Sequence, residues 1–286
     1  MDLSDALRSR RTHNGPFDAR PITLADQHAL MRAAAYAPSH FNSQPWRFVL
    51  VESAETRTAI GRLARDAMRA IMAEGSFWKR YLRYFRFSAE ESRSRGDGIY
   101  IDRLPSALRP FIRALFSETG GAVMNWLQVP SVLAREQERL VAGSPLLLAV
   151  LLTREEYRPT EQSGLYSLIG LGAAIENVWL AATERGIGVQ FISTVQERPD
   201  AWARVHELLG VTDDLALVAL FRLGYVPADV KRPAIDWSSP QRKPIPAYVW
   251  RERVGTPEAA LPEDVTGRVE DASGHVMPDL HEEVSA

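Results

Sequence analysis

Four apolar runs constrain this chain more than anything else in it: Phe48–Val51, Leu146–Leu152, Val189–Ile192 and Leu215–Leu223. They are rich in Val, Leu, Ile and Phe and show little alternation. A strand with one face in water alternates; a run without alternation is covered on both faces. Helical stretches between the runs supply that cover. Residues 2–11 place Leu3 and Leu7 one turn apart. Residues 23–36 open at Thr23, an N-cap residue, with Asp26 in the first turn. Ser53 caps a helix running to Ala73. The longest apolar helix is predicted over 163–185 and stops at Gly186. Residues 199–209 start with Pro199 at the first helical position and end at Gly210. The pattern predicts a mixed central sheet sandwiched by helices.

Two segments stand apart. Residues 74–142 hold no strong strand. Residues 226–286 are rich in proline (Pro227, Pro233, Pro240, Pro244, Pro246) and then polar. Pro244 and Pro246 bar a regular helix or central strand, so 226–250 is predicted to be an extended arm. The tail, 255–286, has few large apolar residues, the composition of a disordered segment. One domain is expected over 1–254.

Composition mainly excludes chemistry. There is no cysteine among the 286 residues, so disulfides, thiolate catalysis and cysteine metal sites are absent. A net charge of -2 gives no overall positive field for nucleic acid. The six histidines do not fall at metal-ligand spacing, and there is no Walker A loop or Gly-x-Ser-x-Gly elbow. Gly170-Leu-Gly172 lacks the third glycine and preceding strand of a dinucleotide turn; close helix packing through Gly170, Gly172, Ala173 and Ala174 explains it better. The opening MDLSDALRSRR carries no apolar leader segment. The longest apolar run, Leu146–Leu152, falls short of the roughly 18–20 residues that span a bilayer. A cytoplasmic soluble protein, binding neither membrane nor nucleic acid, is expected.

Three patches carry positive information. The first is Ser9-Arg10-Arg11-Thr12-His13-Asn14. The second runs Ala37-Pro38-Ser39-His40-Phe41-Asn42-Ser43-Gln44-Pro45-Trp46-Arg47-Phe48. The third is Leu223-Gly224-Tyr225-Val226-Pro227 with Gln241-Arg242-Lys243-Pro244. Arg10, Arg11 and the Thr12 hydroxyl form a donor cluster suited to a phosphate dianion, to which Arg242 and Lys243 can add charge. Asn42 and Gln44 carry donors and acceptors beside a buried strand, where amides need partners. Trp46 and Phe48 are strand core.

In this order the patches resemble the nitroreductase family of FMN-dependent oxidoreductases, with the Asn-Ser-Gln-Pro-Trp run the most specific part. The resemblance covers roughly 1–73 and 143–250. It implies an α+β fold, an FMN cofactor and a homodimer in which Pro38, Ser39 and His40 contact the flavin of the neighbouring subunit. It implies that Ile192, Ser193 and Thr194 lie beside flavin N5. Asn14 stands where the family has a basic residue; it can hydrogen-bond to the ribityl chain or ring edge but brings no charge. His40 replaces a small residue, and a structural or surface role is expected for it.

The segment Phe77–Phe87 is aromatic and basic. At helical spacing Phe77, Tyr81 and Tyr84 share one face, with Trp78, Leu82 and Phe85 beside it. A helical lid over the substrate pocket within 74–142 is expected, with core packing as the alternative. The activity the resemblance implies is hydride transfer from NADH or NADPH through FMN to a nitroaromatic, quinone or similar electrophile. Alternatives are a specialised reaction on the same fold (dehalogenation, dehydrogenation or oxygen-dependent flavin cleavage) and a non-catalytic flavin-binding module.

Overall fold

The computed structural model describes residues 1–73, 80–101, 129–229 and 241–255. Phe77, Trp78, Pro233, Pro240 and the tail beyond 255 lie outside the described residues.

The elements in chain order are α1 (Leu3–Ser9), α2 (Leu24–Ala35), β1 (Trp46–Val51), α3 (Ala54–Ala73), β2 (Phe85–Arg86), α4 (Ala89–Arg95), β3 (Ile99–Tyr100), α5 (Val129–Ala142), β4 (Leu146–Thr153), α6 (Gln162–Glu184), β5 (Ile187–Phe191), α7 (Pro199–Leu208) and β6 (Leu215–Tyr225). The four apolar runs form one sheet in the order β1-β4-β6-β5. Every strand pairing within it is antiparallel. The mixed character predicted for the sheet reduces to one parallel bridge, Thr12 with Val189, at the β5 edge.

Helices cover both faces, as the lack of alternation requires. Leu146, Leu148, Val150 and Leu152 of β4 pack with Leu30 and Ala34 of α2 and Leu171, Ala174 and Val178 of α6. Leu147, Ala149 and Leu151 turn to the other face and meet Ile60 and Ala64 of α3, Val141 of α5 and Val205 of α7. Each buried leucine contributes about 1.5–3 kcal/mol relative to exposure. The caps follow the sequence: Thr23 Oγ1 accepts from the Asp26 amide at 3.1 Å, and Ser53 Oγ from the Thr56 amide at 3.3 Å.

Helix α6 is apolar and long enough to cross a membrane, and it is the one such helix among the described residues. It also packs against α2 on one face of the sheet. Gly164, Gly170, Leu171, Ala174, Val178 and Ala182 are buried along it. Leu165, Leu168 and Ile169 remain exposed on its other side. The helix–helix packing predicted through the glycines is not what they make: Gly170 approaches the Pro38 carbonyl and Ser39 of the loop before β1, and Gly172 faces open space.

The middle segment departs from the helical expectation. Residues 82–84 form a single 3-10 turn, and Phe85–Arg86 is a strand paired in parallel with Ile99–Tyr100. Phe85 is buried with Met72 and Ile101, so it is core. Helix α5, which closes the segment, packs against α3 and belongs to the helical layer.

The end of the sheet explains the Gly-Tyr pair of the third patch. Phe17 lies flush on the strand ends, where a Cβ on Gly224 would come within 2.5 Å of it and one on Gly188 within 2.9 Å. Only bare backbone permits that approach. Tyr225 donates its hydroxyl to Asp26 and accepts the Asp18 amide on its carbonyl at 2.9 Å. The Tyr225 hydrogen bond, with help from Thr23, holds the Asp26 carboxyl below its ordinary 3.8. A depressed carboxylate adds stability above its unfolded pKa and loses it as pH falls. Tyr225→Phe therefore destabilises the fold by about 1–2 kcal/mol at pH 7. In urea titrations at pH 7 and pH 3 the deficit shrinks at the lower pH; an equal deficit at both contradicts the assignment.

Candidate functional site

The first patch leaves α1 and runs along the β5 edge through the Thr12–Val189 bridge, supported by the His13 amide donating to the Val189 carbonyl at 3.1 Å. Arg10 lies over the Trp179 ring, 5.0 Å from its centre, with Nε 3.5 Å from Glu176. Arg11 donates Nη1 to the carbonyls of Arg8 and Arg10 at 2.6 and 2.8 Å. Burial, then Arg242, then Arg10 hold the Arg11 guanidinium below the usual arginine range. The arm thus brings Arg242 near Arg11 from the far end of the sequence. Lys243 goes elsewhere: its Nζ is 3.1 Å from Asp97. Asp97 also accepts from the buried Arg86, and these two partners hold its carboxyl down to about 2.

Asn14 accepts on Oδ1 from Gln190 Nε2 at 2.9 Å. Gln190 accepts in turn from Arg222 Nε. Neither Gln190 nor Arg222 stood out among the sequence candidates. A signal existed: Arg222 is the one charged residue inside the run Leu215–Leu223, and a charge in a buried strand demands a reason.

The second patch sits between α2 and β1. Its backbone is unusual: Phe41, Asn42 and Gln44 have φ of 49°, 56° and 45°. Asparagine tolerates this region; phenylalanine and glutamine rarely occupy it. Such residues cost on the order of 1–3 kcal/mol each and cluster at functional sites. The Gln44 amide donates to Ser39 Oγ at 3.0 Å, and Gln44 Nε2 donates to Asn42 Oδ1 at 2.9 Å. Pro38 packs its carbonyl against Gly170 of α6. His40 stacks on Tyr166, ring centres 4.5 Å apart, and meets Phe41 edge-on. Helix α6 therefore carries both patches: the second at Gly170, the first at Glu176 and Trp179. These stations lie about 9–14 Å apart along its axis.

Beyond β5, the Ile192 amide donates to the Leu220 carbonyl at 2.8 Å, and the Ser193 carbonyl accepts from the Gln196 and Glu197 amides. Thr194 is 9% exposed, and its Oγ1 has no hydrogen-bond partner among the described residues. An orphaned buried hydroxyl is costly unless something else meets it. Of the expected lid, Tyr81 is brought to this turn: its hydroxyl donates to Glu197, which also accepts from Arg80 at 3.0 Å. Burial, then Glu197, pushes the Tyr81 phenol up. Tyr84 is exposed at the surface, stacked by Arg83. Glu197 and Asp97 also escaped the sequence reading, since single surface-type carboxylates carry no motif.

An antiparallel sheet between two helical layers defines an α+β protein, with a basic cluster at the β5 edge, an orphaned hydroxyl past the end of β5 and positive-φ amides at the entry to β1. The nitroreductase family model matches residues 7–225. The chain belongs to the nitroreductase family, whose fold is that of flavoprotein oxidoreductases. A segment of 68 residues is 37% identical to nitrobenzene nitroreductase of Ectopseudomonas oleovorans; that match covers 24% of this chain and 29% of the relative's length. The fold is similar to that of an FMN and NADPH-dependent nitroreductase, a mutant of NfnB derived from sphigopyxis sp. strain HMH (21% identity, TM-score 0.53), over 88% of this chain and 100% of that one. It is similar also to a BluB-like flavoprotein from Clostridium difficile 630 (19% identity, TM-score 0.52), again over 88% and 100%.

The strain at position 41 is testable in isolation. Phe41 is 91% exposed, so its ring contributes little burial. Phe41→Gly removes the positive-φ penalty and should leave the thermal midpoint unchanged or raised. A midpoint several degrees lower would show that the ring is needed for packing, within the chain or against a partner subunit.

Proposed function

We propose that this chain is an FMN-dependent oxidoreductase that moves a hydride from NADH or NADPH to a conjugated electrophile such as a nitroaromatic or a quinone. The reading is supported by the family match over residues 7–225 and by the basic first patch, which lies along the β5 edge with Arg10 over Trp179 of α6 and Arg11 beside it in sequence. Arg242 and Arg10 both disfavour the charge on Arg11, and a phosphate dianion would offset that through charge-assisted, bidentate hydrogen bonds. The Thr12 hydroxyl adds a further donor.

The chemistry FMN supplies when bound is two-electron transfer at N5, so that one hydride from the nicotinamide and one proton from solvent reach the acceptor. The chain's own residues bind and orient. Asn14, Asn42 and Gln44 are amides suited to the polar groups of the ring and ribityl chain. Thr194 offers its orphaned hydroxyl at the end of β5. Tyr81, held by Glu197, closes the side of that turn and narrows access for water and acceptor. No side-chain nucleophile is required, in keeping with a chain that has no cysteine.

The working form in this reading is a homodimer. The support is the apolar face of α6, where Leu165, Leu168 and Ile169 are exposed beside the His40–Phe41–Tyr166 ring cluster. His40 of the second patch borders that face through Tyr166, so a partner packed there would bring Pro38, Ser39 and His40 to the neighbouring site.

Reconstitution tests the whole reading. The purified chain mixed with FMN should retain a bound flavin spectrum, sediment as a dimer and oxidise NADH or NADPH when a nitroarene or quinone is added. No flavin uptake would overturn it. Flavin uptake without nicotinamide oxidation under any acceptor would leave a binding module instead of an enzyme.

A further inference from the structure

Arg222 is the largest fully buried side chain among the described residues, with 1% of its surface exposed. It lies near the end of β6, opposite Gln190 of β5. Its Nη1 donates to the Gly15 carbonyl at 3.0 Å, and Nη2 donates to the carbonyls of His13 and Gly15, each at 3.0 Å. Nε donates to Gln190. The guanidinium also lies 4.7 Å from the centre of the Phe17 ring. Each of these partners is neutral. Burial pushes the guanidinium down to about 9, with Glu136 of α5 opposing the shift and Arg139 adding to it. It remains a cation at neutral pH.

A buried cation whose hydrogen bonds all go to neutral groups is expensive, and an apolar residue would serve packing better. What the charge does can be traced along the hydrogen bonds. Arg222 donates to the Gln190 carbonyl oxygen, and the Gln190 amide donates to Asn14 Oδ1. Both links run the same way, so each polarises the next. The acceptor end of Asn14 is thereby turned to Gln190. The same guanidinium grips the backbone on both sides of Asn14, at His13 and Gly15.

We propose that Arg222 is a positioning residue of the cofactor site: through Gln190 it fixes the orientation of the Asn14 amide and relays a positive charge toward it. The inference rests on the flavin reading above. Reduction adds electron density to the flavin, so a positive charge relayed to the ring favours the reduced form. The relay is a pair of oriented amides; the charge stays inside the sheet.

The test uses the full-length chain loaded with FMN, with dissociation constants from flavin fluorescence and midpoint potentials by dye equilibration. Gln190→Leu cuts the relay and leaves the Arg222 grip on His13 and Gly15. It should lower the affinity ratio for reduced over oxidised FMN about tenfold, a potential about 30 mV more negative for a two-electron couple. Arg222→Met should move the potential in the same direction and also lower stability. Arg222→Lys keeps a charge and loses the fork, so it should recover part of the potential and little of the stability. Potentials equal to wild type in Gln190→Leu and Arg222→Met would overturn the inference and reduce Arg222 to a structural clasp. Where Arg222→Met does not fold, Gln190→Leu decides alone. A wild-type chain that takes up no FMN would contradict the functional reading, and this inference with it; a flavin-loaded wild type with unresponsive variants contradicts only the inference.

Discussion

The seating of residues 13–18 on the bare end of the sheet is the contact on which the rest of this structure depends. Gly188 and Gly224 leave room for Phe17, and Arg222 and Tyr225 hold the turn from either side. The turn fixes the register of the first patch along β5 through the Thr12 bridge. That register decides which basic side chains face Trp179 and Glu176 on α6 and which meet the returning arm. A Cβ at either glycine would displace the turn, and with it the donor cluster.

Stability is given up in three places: beside the β5 edge at Arg11, past the end of β5 at Thr194, and at the entry to β1, the opposite edge. Arg11 is held among like charges. Phe41, Asn42 and Gln44 sit in a backbone region that costs on the order of 1–3 kcal/mol apiece. Thr194 keeps a buried hydroxyl unpaired among the described residues. A fold selected only for stability would remove each of these. The first and second patches are linked by α6, which meets Pro38 at Gly170 and Arg10 at Glu176 and Trp179. Asp97 pairs with both Arg86 and Lys243, which fastens the segment carrying Lys243 beside β2 and β3.

Much of this was legible in the residues. Four runs without alternation became four strands covered on both faces, and Thr23, Ser53 and Pro199 opened helices where their chemistry places them. The three patches pointed to the family because their side-chain types are unusual together. The rest depended on pairing that no local pattern records. Phe85 looks like a helix-face aromatic in its own window, yet strand pairing with Ile99 sends it into the core. Gly172 lies in the same small-residue stretch as Gly170, but two residues on along α6 it faces the other side. Arg222 was hidden within an apolar run, and its partners, Gln190, His13 and Gly15, are far away in sequence.

The central claim is that the cluster of Arg10, Arg11 and Arg242 recognises the phosphate of a flavin mononucleotide. Comparing FMN with riboflavin, which lacks that phosphate, isolates the contact. FMN should bind on the order of 100-fold more tightly at low salt, and the gap should narrow as ionic strength rises and collapse in Arg11→Ala. Equal affinities for FMN and riboflavin in the wild-type chain would contradict the account.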